Sequence, residues 1–401
     1  MHLDSALALF IAIGIILLLI KLRKHVGYAI LAGASFLALA TLSSREALTL
    51  AFSTLTSGAT LKLMLILFSV LLLSYTMESA GMLSRLTSAI SKIGGKAVLV
   101  TVPLLIGLLP MPAGALVSAM MISGLVREQG IAREKATFAN YWFRHLWIPT
   151  WPLYPAFLIT MGVVEAGTLQ LVEINLPLTL AALVAGLLIA YPDLEFRSNG
   201  NFKDALPELM LNAWPIAAII LLALVIKVEL AYAMLAVLVL TLAYTRPSKA
   251  ELKEISRKAL DPRMAVLIYG VMLFRNGIEA SSAASRVIDL LSGAGLPIAV
   301  VAPLVSFLIG FAVGIEMGPP SIALPLFISF VGRGDALVGE HLLLIFAAGY
   351  LGVQLSPMHL CFTVSVDYFK ASMSRVYRYV GLASVLSFAM VAGFVALRGV
   401  V

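Results

Sequence analysis

The sequence has 401 residues, 61% of them hydrophobic and 12% charged, with a mean hydropathy of +1.02. A soluble domain carries about 25% charged and about 45–50% apolar residues, so water-soluble, nucleic-acid-binding and disordered classes are excluded. The 28 Lys+Arg against 21 Asp+Glu therefore report loop orientation in a bilayer, not a nucleic-acid partner.

In chain order, Met1-His2-Leu3-Asp4 lacks the basic start of a secretory leader. The apolar run behind it has no cleavage pattern before Lys21-Leu22-Arg23-Lys24, so it reads as a retained first span. Apolar runs near the bilayer-crossing length of about 20 residues place ten crossings near 5–20, 26–42, 61–80, 136–163, 174–191, 211–226, 230–244, 264–280, 341–366 and 379–397. Stretches 97–126 and 296–331 do not fit as simple spans, because Pro110-Met111-Pro112-Ala113-Gly114 interrupts the first and Gly318-Pro319-Pro320 the second. Proline removes a donor and forbids the preceding helical turn, and irregular backbone at membrane depth is tolerated only inside protein or beside a watery cavity. Both stretches are read as re-entrant hairpins.

This arrangement puts basic residues such as Lys24, Arg85, Arg133, Lys253 and Arg375 on one side. Arg45, Lys62, Lys227, Arg286, Arg333 and Arg398 lie on the other, with Arg144 and Arg275 inside spans. The heavy asymmetry makes the first side cytoplasmic. It predicts a multi-pass protein of the plasma (inner) membrane with both termini outside. The basic segment 245–263 reads as a cytoplasmic connector, with anionic lipid as an alternative.

The chain is also internally similar. Residues 74–94 match 275–295 in order, pairing Glu78 with Glu279, Arg85 with Arg286 and Gly94 with Gly295. Further on, Pro110 pairs with Pro319 and Tyr141 with Tyr350. After those tyrosines come two proline breaks, Arg144-His145-Leu146-Trp147-Ile148-Pro149 and Val353-Gln354-Leu355-Ser356-Pro357. The expected fold is all-α, with two inverted-topology repeats, 1–200 and 201–401. Each holds five crossings, a hairpin and a broken helix (136–163 and 341–366), a combination typical of secondary transporters.

The order of elements, the two tips and the two breaks resemble the ion-transporter superfamily, which includes gluconate permeases and dicarboxylate/sodium symporters. The resemblance implies a homodimer in which hairpins and broken helices carry the substrate. The symporters have Ser-Asn-Thr at each tip, whereas this chain has Pro-Met-Pro-Ala-Gly and Glu-Met-Gly-Pro-Pro-Ser. Dicarboxylate specificity and sodium coupling therefore do not carry over.

Candidate site residues cluster at the tips and breaks. A helix start at mid-membrane offers backbone N–H to an anion, which points to Pro110, Met111, Pro112, Gly114, Gly318, Pro319 and Ser321. A mid-span arginine costs about 2.5–3.5 kcal/mol on insertion scales, so Arg144 marks function, either gripping a carboxylate with its planar fork or balancing an acidic tip. His145 and Glu316 are candidates for carrying a coupled ion, and Asn140, Thr150, Gln354 and Ser356 for neutral contacts. Arg275, Asn276, Glu78 and Glu279 read as interfacial. The aromatics Tyr141, Trp142, Phe143, Trp147 and Trp151 read as packing ahead of a sugar-stacking surface. No Walker loop, Gly-x-Ser-x-Gly or His-Glu-x-x-His occurs. The expected activity is ion-coupled transport (symport) of a small organic anion, a carboxylate or sugar acid, with no cofactor beyond H+ or Na+ and no enzymatic step. A cation/proton antiporter and an intramembrane enzyme or channel are the alternatives.

Overall fold

The structure, a computed structural model, describes residues 3–93, 97–108, 114–190 and 202–399, and those residues form helices and connections without strands. The first half runs α1 Ser5–Lys21, α2 Val26–Thr41, α3 Ser44–Thr56, α4 Gly58–Ser79, α5 Met82–Ile93, α6 Val98–Ile106, α7 Gly114–Glu128, α8 Arg133–Arg144, α9 Pro155–Val164 and α10 Thr168–Ala190. The second runs α11 Phe202–Ile219 (continued by a π-helical turn, Ile220–Val225), α12 Leu230–Thr245, α13 Lys249–Ala259, α14 Pro262–Ala280, α15 Ala283–Gly293, α16 Ile298–Val313, α17 Gly318–Leu326, α18 Ile328–Val331, α19 Gly339–Leu355, α20 Leu360–Phe369 and α21 Met373–Leu397.

The chain is an all-α polytopic membrane protein. Five described helical stretches are long and apolar enough to cross a bilayer: Gly58–Ser79, Thr168–Ala190, Ala205–Val225, Gly339–Phe369 and Met373–Leu397. A sixth is added if α15 and α16, bent by 118° at their junction, count as one. Ten crossings were expected. One of the missing five, α14, has 19 residues but carries Arg263, Arg275 and Glu279. For the rest the difference lies in length, since α1, α2 and α12 are apolar but only 16 or 17 residues long, and α8 and α9 have 12 and 10. These all fall short of the roughly 20 residues of a full span. Gly339–Phe369 is 78% buried against 28% for Ala205–Val225, so the former lies in the protein interior and the latter has its flanks open to lipid.

The polar connectors 43–60 and 245–263 are themselves helical. Each begins with a Ser-x-x-Glu capping box, Ser43/Glu46 on α3 and Ser248/Glu251 on α13, which satisfies the first free amides reciprocally. Packing between the halves runs in exchanged pairs. α2 packs on α14 and α4 on α12; α1 on α15 and α11 on α5; α3 on α14 and α13 on α4. Closer to the centre α7 packs on α20 and α17 on α9. Within each half the helix entering the hairpin lies tightly on the broken helix. A side chain at Gly107 of the first hairpin would sit 2.2 Å from the Arg144 carbonyl oxygen, and one at Gly310 of α16 2.3 Å from that of Gly349. Only glycine permits backbones this close.

The expected hairpin 97–126 corresponds to α6 and α7, which pack together, but its tip, with Pro110, Met111 and Pro112, lies outside the described residues. The hairpin 296–331 corresponds to α16, α17 and α18. α16 stops at Gly314, whose left-handed backbone (φ +65°) suits glycine at a helix end.

Candidate functional site

Two helix breaks meet in the protein interior. The first, 145–154, follows α8; the second, 356–359, follows α19. Tyrosines hold them together. Tyr141 on α8 donates to the Gln354 carbonyl at 3.0 Å, and Tyr350 on α19 donates to the His145 carbonyl at 3.4 Å. These are the two tyrosines that the internal similarity pairs, and the carbonyls they reach are separated in sequence by the same interval.

Both breaks also secure the end of a hairpin arm. The last carbonyls of a helix lack intrahelical donors, and at membrane depth water does not supply them. In the first half, Trp147 Nε1 donates to the Leu104 carbonyl (2.8 Å), Trp151 Nε1 to Leu108 (2.6 Å) and the Tyr154 hydroxyl to Gly107 (2.6 Å). In the second, Ser356 Oγ donates to the Phe311 carbonyl (2.6 Å), and His359 Nδ1 lies 2.8 Å from the Gly314 carbonyl. The aromatic cluster is thus packing and capping. Trp142 adds a bond to the Ala182 carbonyl of α10 (2.8 Å).

Arg144, the last residue of α8, is buried at 4% exposure. Its Nη1 donates to Cys361 Sγ at 3.5 Å and lies 3.4 Å from His145 Nε2. Its other edge faces the first residue of α7, where a side chain at Gly114 would come 2.4 Å from Nη2 and 2.9 Å from Nε. One edge of the guanidinium therefore looks toward the start of a 15-residue helix, where the macrodipole favours an anion.

His145 Nδ1 lies 2.6 Å from the Tyr141 carbonyl, and its Nε2 lies 3.1 Å from His359 Nε2. His145, His359 and Cys361 have their ligand atoms within 4.8 Å of one another. Glu316, between α16 and α17, lines a cavity with Ile148, Ser306, Pro319, Tyr350 and Gln354, whose space for water-sized spheres is about 20 Å³, room for one water. The Arg144 charge acts on the Glu316 carboxyl.

The remaining expected residues divide. Ser321 and Gln354 are buried, and Ser321 Oγ and Gln354 Oε1 have no hydrogen-bond partner among the described residues; Gln354 Nε2 donates to Tyr350 (2.9 Å). Gly318 opens α17, and Pro319 packs against Gly349. Asn140, by contrast, is engaged within the protein: its amide donates to the Ala115 carbonyl and Ser365 Oγ, and its oxygen accepts from Ser118. Thr150 meets Thr179 of α10 at 3.1 Å. Arg275 belongs to a separate ion-pair group with Glu165, Arg333 and Glu279, and Asn276 donates to Thr54 (2.9 Å). From sequence the lone Cys361 reads as excluding a cysteine-based metal cage and the five histidines as forming no His/Cys cluster, whereas the structure brings Cys361 together with His145 and His359. His359 was not singled out, although the available signal was a His-x-Cys pair containing the chain's sole cysteine just behind a proline break.

The fold has a structural relative. The crystal structure of the Alcanivorax borkumensis YdaH transporter, described as having an unusual topology, superposes with a TM-score of 0.61 at 14% identity, covering 97% of this chain and 98% of that one. At that identity the likeness speaks for the fold alone. No curated protein sequence matches the chain. Residues 3–398 match the family model described as "Protein of unknown function (DUF401)", and the chain belongs to that family.

Proposed function

We propose that this protein is a secondary transporter that moves a small organic anion, a carboxylate or sugar acid, by ion-coupled alternating access. The observation that carries the reading is Arg144, a buried arginine at a helix break whose Nε/Nη2 edge faces the start of α7. That edge packs directly on Gly114 here, so a carboxylate would enter when α7 and Arg144 separate, and would then meet a planar two-donor fork and a helix N-terminus together. The fold it shares with the YdaH transporter supports transport over catalysis. In this reading the halves 1–200 and 201–401 are inverted repeats. The exchanged helix pairs and reciprocal tyrosine bonds support that symmetry. The short apolar helices α1, α2 and α12, the broken helix α8–α9 and α14 complete ten crossings, the two hairpins are re-entrant, the termini face outward from the plasma membrane, and two chains form a symport-competent dimer.

Glu316 is the coupling residue in this scheme, for H+ or Na+, because it lines the small cavity between α16, α17 and α19 within reach of the Arg144 charge. A cavity of one-water size corresponds to a conformation closed around its site, which must open on one side to admit an organic anion. The same small volume also favours a second reading, a cation/proton antiporter. Purified protein in liposomes distinguishes them. After a thermal-shift screen of carboxylates, sugar acids and inorganic oxyanions, the stabilising anion should exchange in counterflow. Glu316→Gln should keep that exchange while losing uphill accumulation. Dimming of a pH dye on adding sodium, with no organic anion present and no counterflow of any screened anion, would establish the antiporter instead.

A further inference from the structure

We propose that His145, His359 and Cys361 form a binding site for one thiophilic metal ion, monovalent copper in preference to zinc. The chain has five histidines and one cysteine. Two of those histidines and that cysteine, from two different helix breaks, bring their ligand atoms within 4.8 Å of one another.

The ring orientations favour a cation. Nδ1 of His145 lies 2.6 Å from the Tyr141 carbonyl and Nδ1 of His359 lies 2.8 Å from the Gly314 carbonyl. A carbonyl oxygen only accepts, so each Nδ1 carries the ring proton. Both Nε2 atoms are then left with lone pairs that face each other at 3.1 Å, a repulsive arrangement that Arg144 Nη1, 3.4 Å from His145 Nε2, relieves on one side only and that a cation between the two nitrogens would remove. An Nδ1–H anchored on a backbone carbonyl, with Nε2 presented, is also how metal-ligating histidines are usually held.

The distances suit a metal. Bonds of about 2.0 Å to nitrogen and about 2.3 Å to sulfur put ligand atoms roughly 3.3–3.8 Å apart in a tetrahedral or trigonal shell. The nitrogen pair needs to open by a few tenths of an ångström and the thiol to swing inward. Cys361 is partly exposed, and on binding its thiol proton leaves to solvent. Metal entry also displaces the long contact between Arg144 Nη1 and His145 Nε2.

Charge and softness choose the ion. Thiolate with imidazole selects copper(I) or zinc among common biological metals. Two neutral imidazoles, one thiolate and Cu+ sum to zero, whereas Zn2+ leaves a net positive centre beside the guanidinium that lies 3.5 Å from the sulfur. Like charges this close in a poorly screened interior disfavour the dication.

The test uses the full chain in detergent, with Ag+ as a redox-inert probe, Cu+ delivered under reducing conditions from a competing chelator, and Zn2+. Expected are one Ag+ or Cu+ retained per chain, a raised melting temperature, an ultraviolet thiolate-to-metal band, and Zn2+ binding at least tenfold weaker. Cys361→Ser should abolish the band and weaken binding at least tenfold. His359→Gln should weaken it comparably with the band retained, and Arg398→Gln, in a pair with Glu340 away from the cluster, should leave binding unchanged. Because Cys361 is the sole cysteine, its alkylation in the unmodified protein reads the site without any variant, and bound Cu+ should block it. The proposal is overturned if the protein retains no metal, as it would if a proton held the histidine pair. Stoichiometric binding that both ligand variants leave unchanged, or alkylation unaffected by saturating Cu+, would overturn it equally.

Discussion

The two helix breaks solve one physical problem with different side chains. Each lies where a hairpin arm ends inside the protein with carbonyls that need donors. In the first half the donors are two indoles and a phenol, Trp147, Trp151 and Tyr154, spread along 145–154. In the second, a hydroxyl and an imidazole, Ser356 and His359, do the same within 356–359. The difference in size is one of reach: long aromatic donors cap the arm from a longer run of successive turns, while short donors cap it from the four residues 356–359. The chemistry also diverges, since α8 leads into the first break with a permanent cation, Arg144, whereas the second break and the start of α20 offer His359 and Cys361. A symmetric frame therefore carries an asymmetric centre.

The comparison can be broken most severely at that cation. Arg144→Gln should lower counterflow at least 100-fold, worth about 2.7 kcal/mol of barrier, while the protein stays monodisperse. Arg144→Lys should fall between, because it keeps charge but loses the fork. Unimpaired transport in Arg144→Gln would remove the arginine from the site. Next comes the close approach of backbones. Gly107→Ala and Gly310→Ala should each destabilise by about 1–3 kcal/mol through overpacking, measured by denaturant titration in detergent. Equal losses would confirm that the two arms are seated alike. At Gly114→Ala the nearest atoms are those of the Arg144 guanidinium, not backbone, so it should impair transport more than stability.

Smaller effects sharpen the capping argument. Tyr154→Phe strands the buried Gly107 carbonyl and Ser356→Ala the part-buried Phe311 carbonyl, each at about 1–3 kcal/mol. A loss confined to one of them would show that the breaks are not equivalent caps. Smallest of all, Arg398→Gln removes a largely exposed pair with Glu340 and should shift stability by less than about 1 kcal/mol.

How far the sequence carries this picture depends on what kind of signal each feature leaves. Apolar runs and proline clusters are local, so the hairpin 296–331 and both breaks were readable within a few residues. The pairing of Tyr141 with Tyr350 was readable because both halves repeat it at one interval. Helix bounds were legible as well: α1, α2 and α12 run 5–21, 26–41 and 230–245 against 5–20, 26–42 and 230–244 expected, and what apolarity alone does not register is whether 16 or 17 residues cross the whole bilayer. Within the site, Arg144 and Glu316 stood out because charge is costly in a span. Asn140 and Thr150 were equally conspicuous as polar residues, yet their side chains are taken up by Ala115, Ser118, Ser365 and Thr179, partners that only the tertiary fold brings near. His359 and Cys361 carry no periodic signature, and their meeting with His145 across more than two hundred residues is visible only in space.

The exchanged packing, α7 against α20 and α17 against α9, has a consequence for biosynthesis. When α8 leaves the ribosome, the segment that will cover Arg144 from the far half has not yet been translated. The first ten helices must therefore wait in the bilayer with a charged residue only partly enclosed, held by the insertion machinery or by lipid, until α20 emerges near the end of the chain. The halves are then assembled as an interleaved pair and not one after the other, and the last fifty residues decide whether everything made before them is kept.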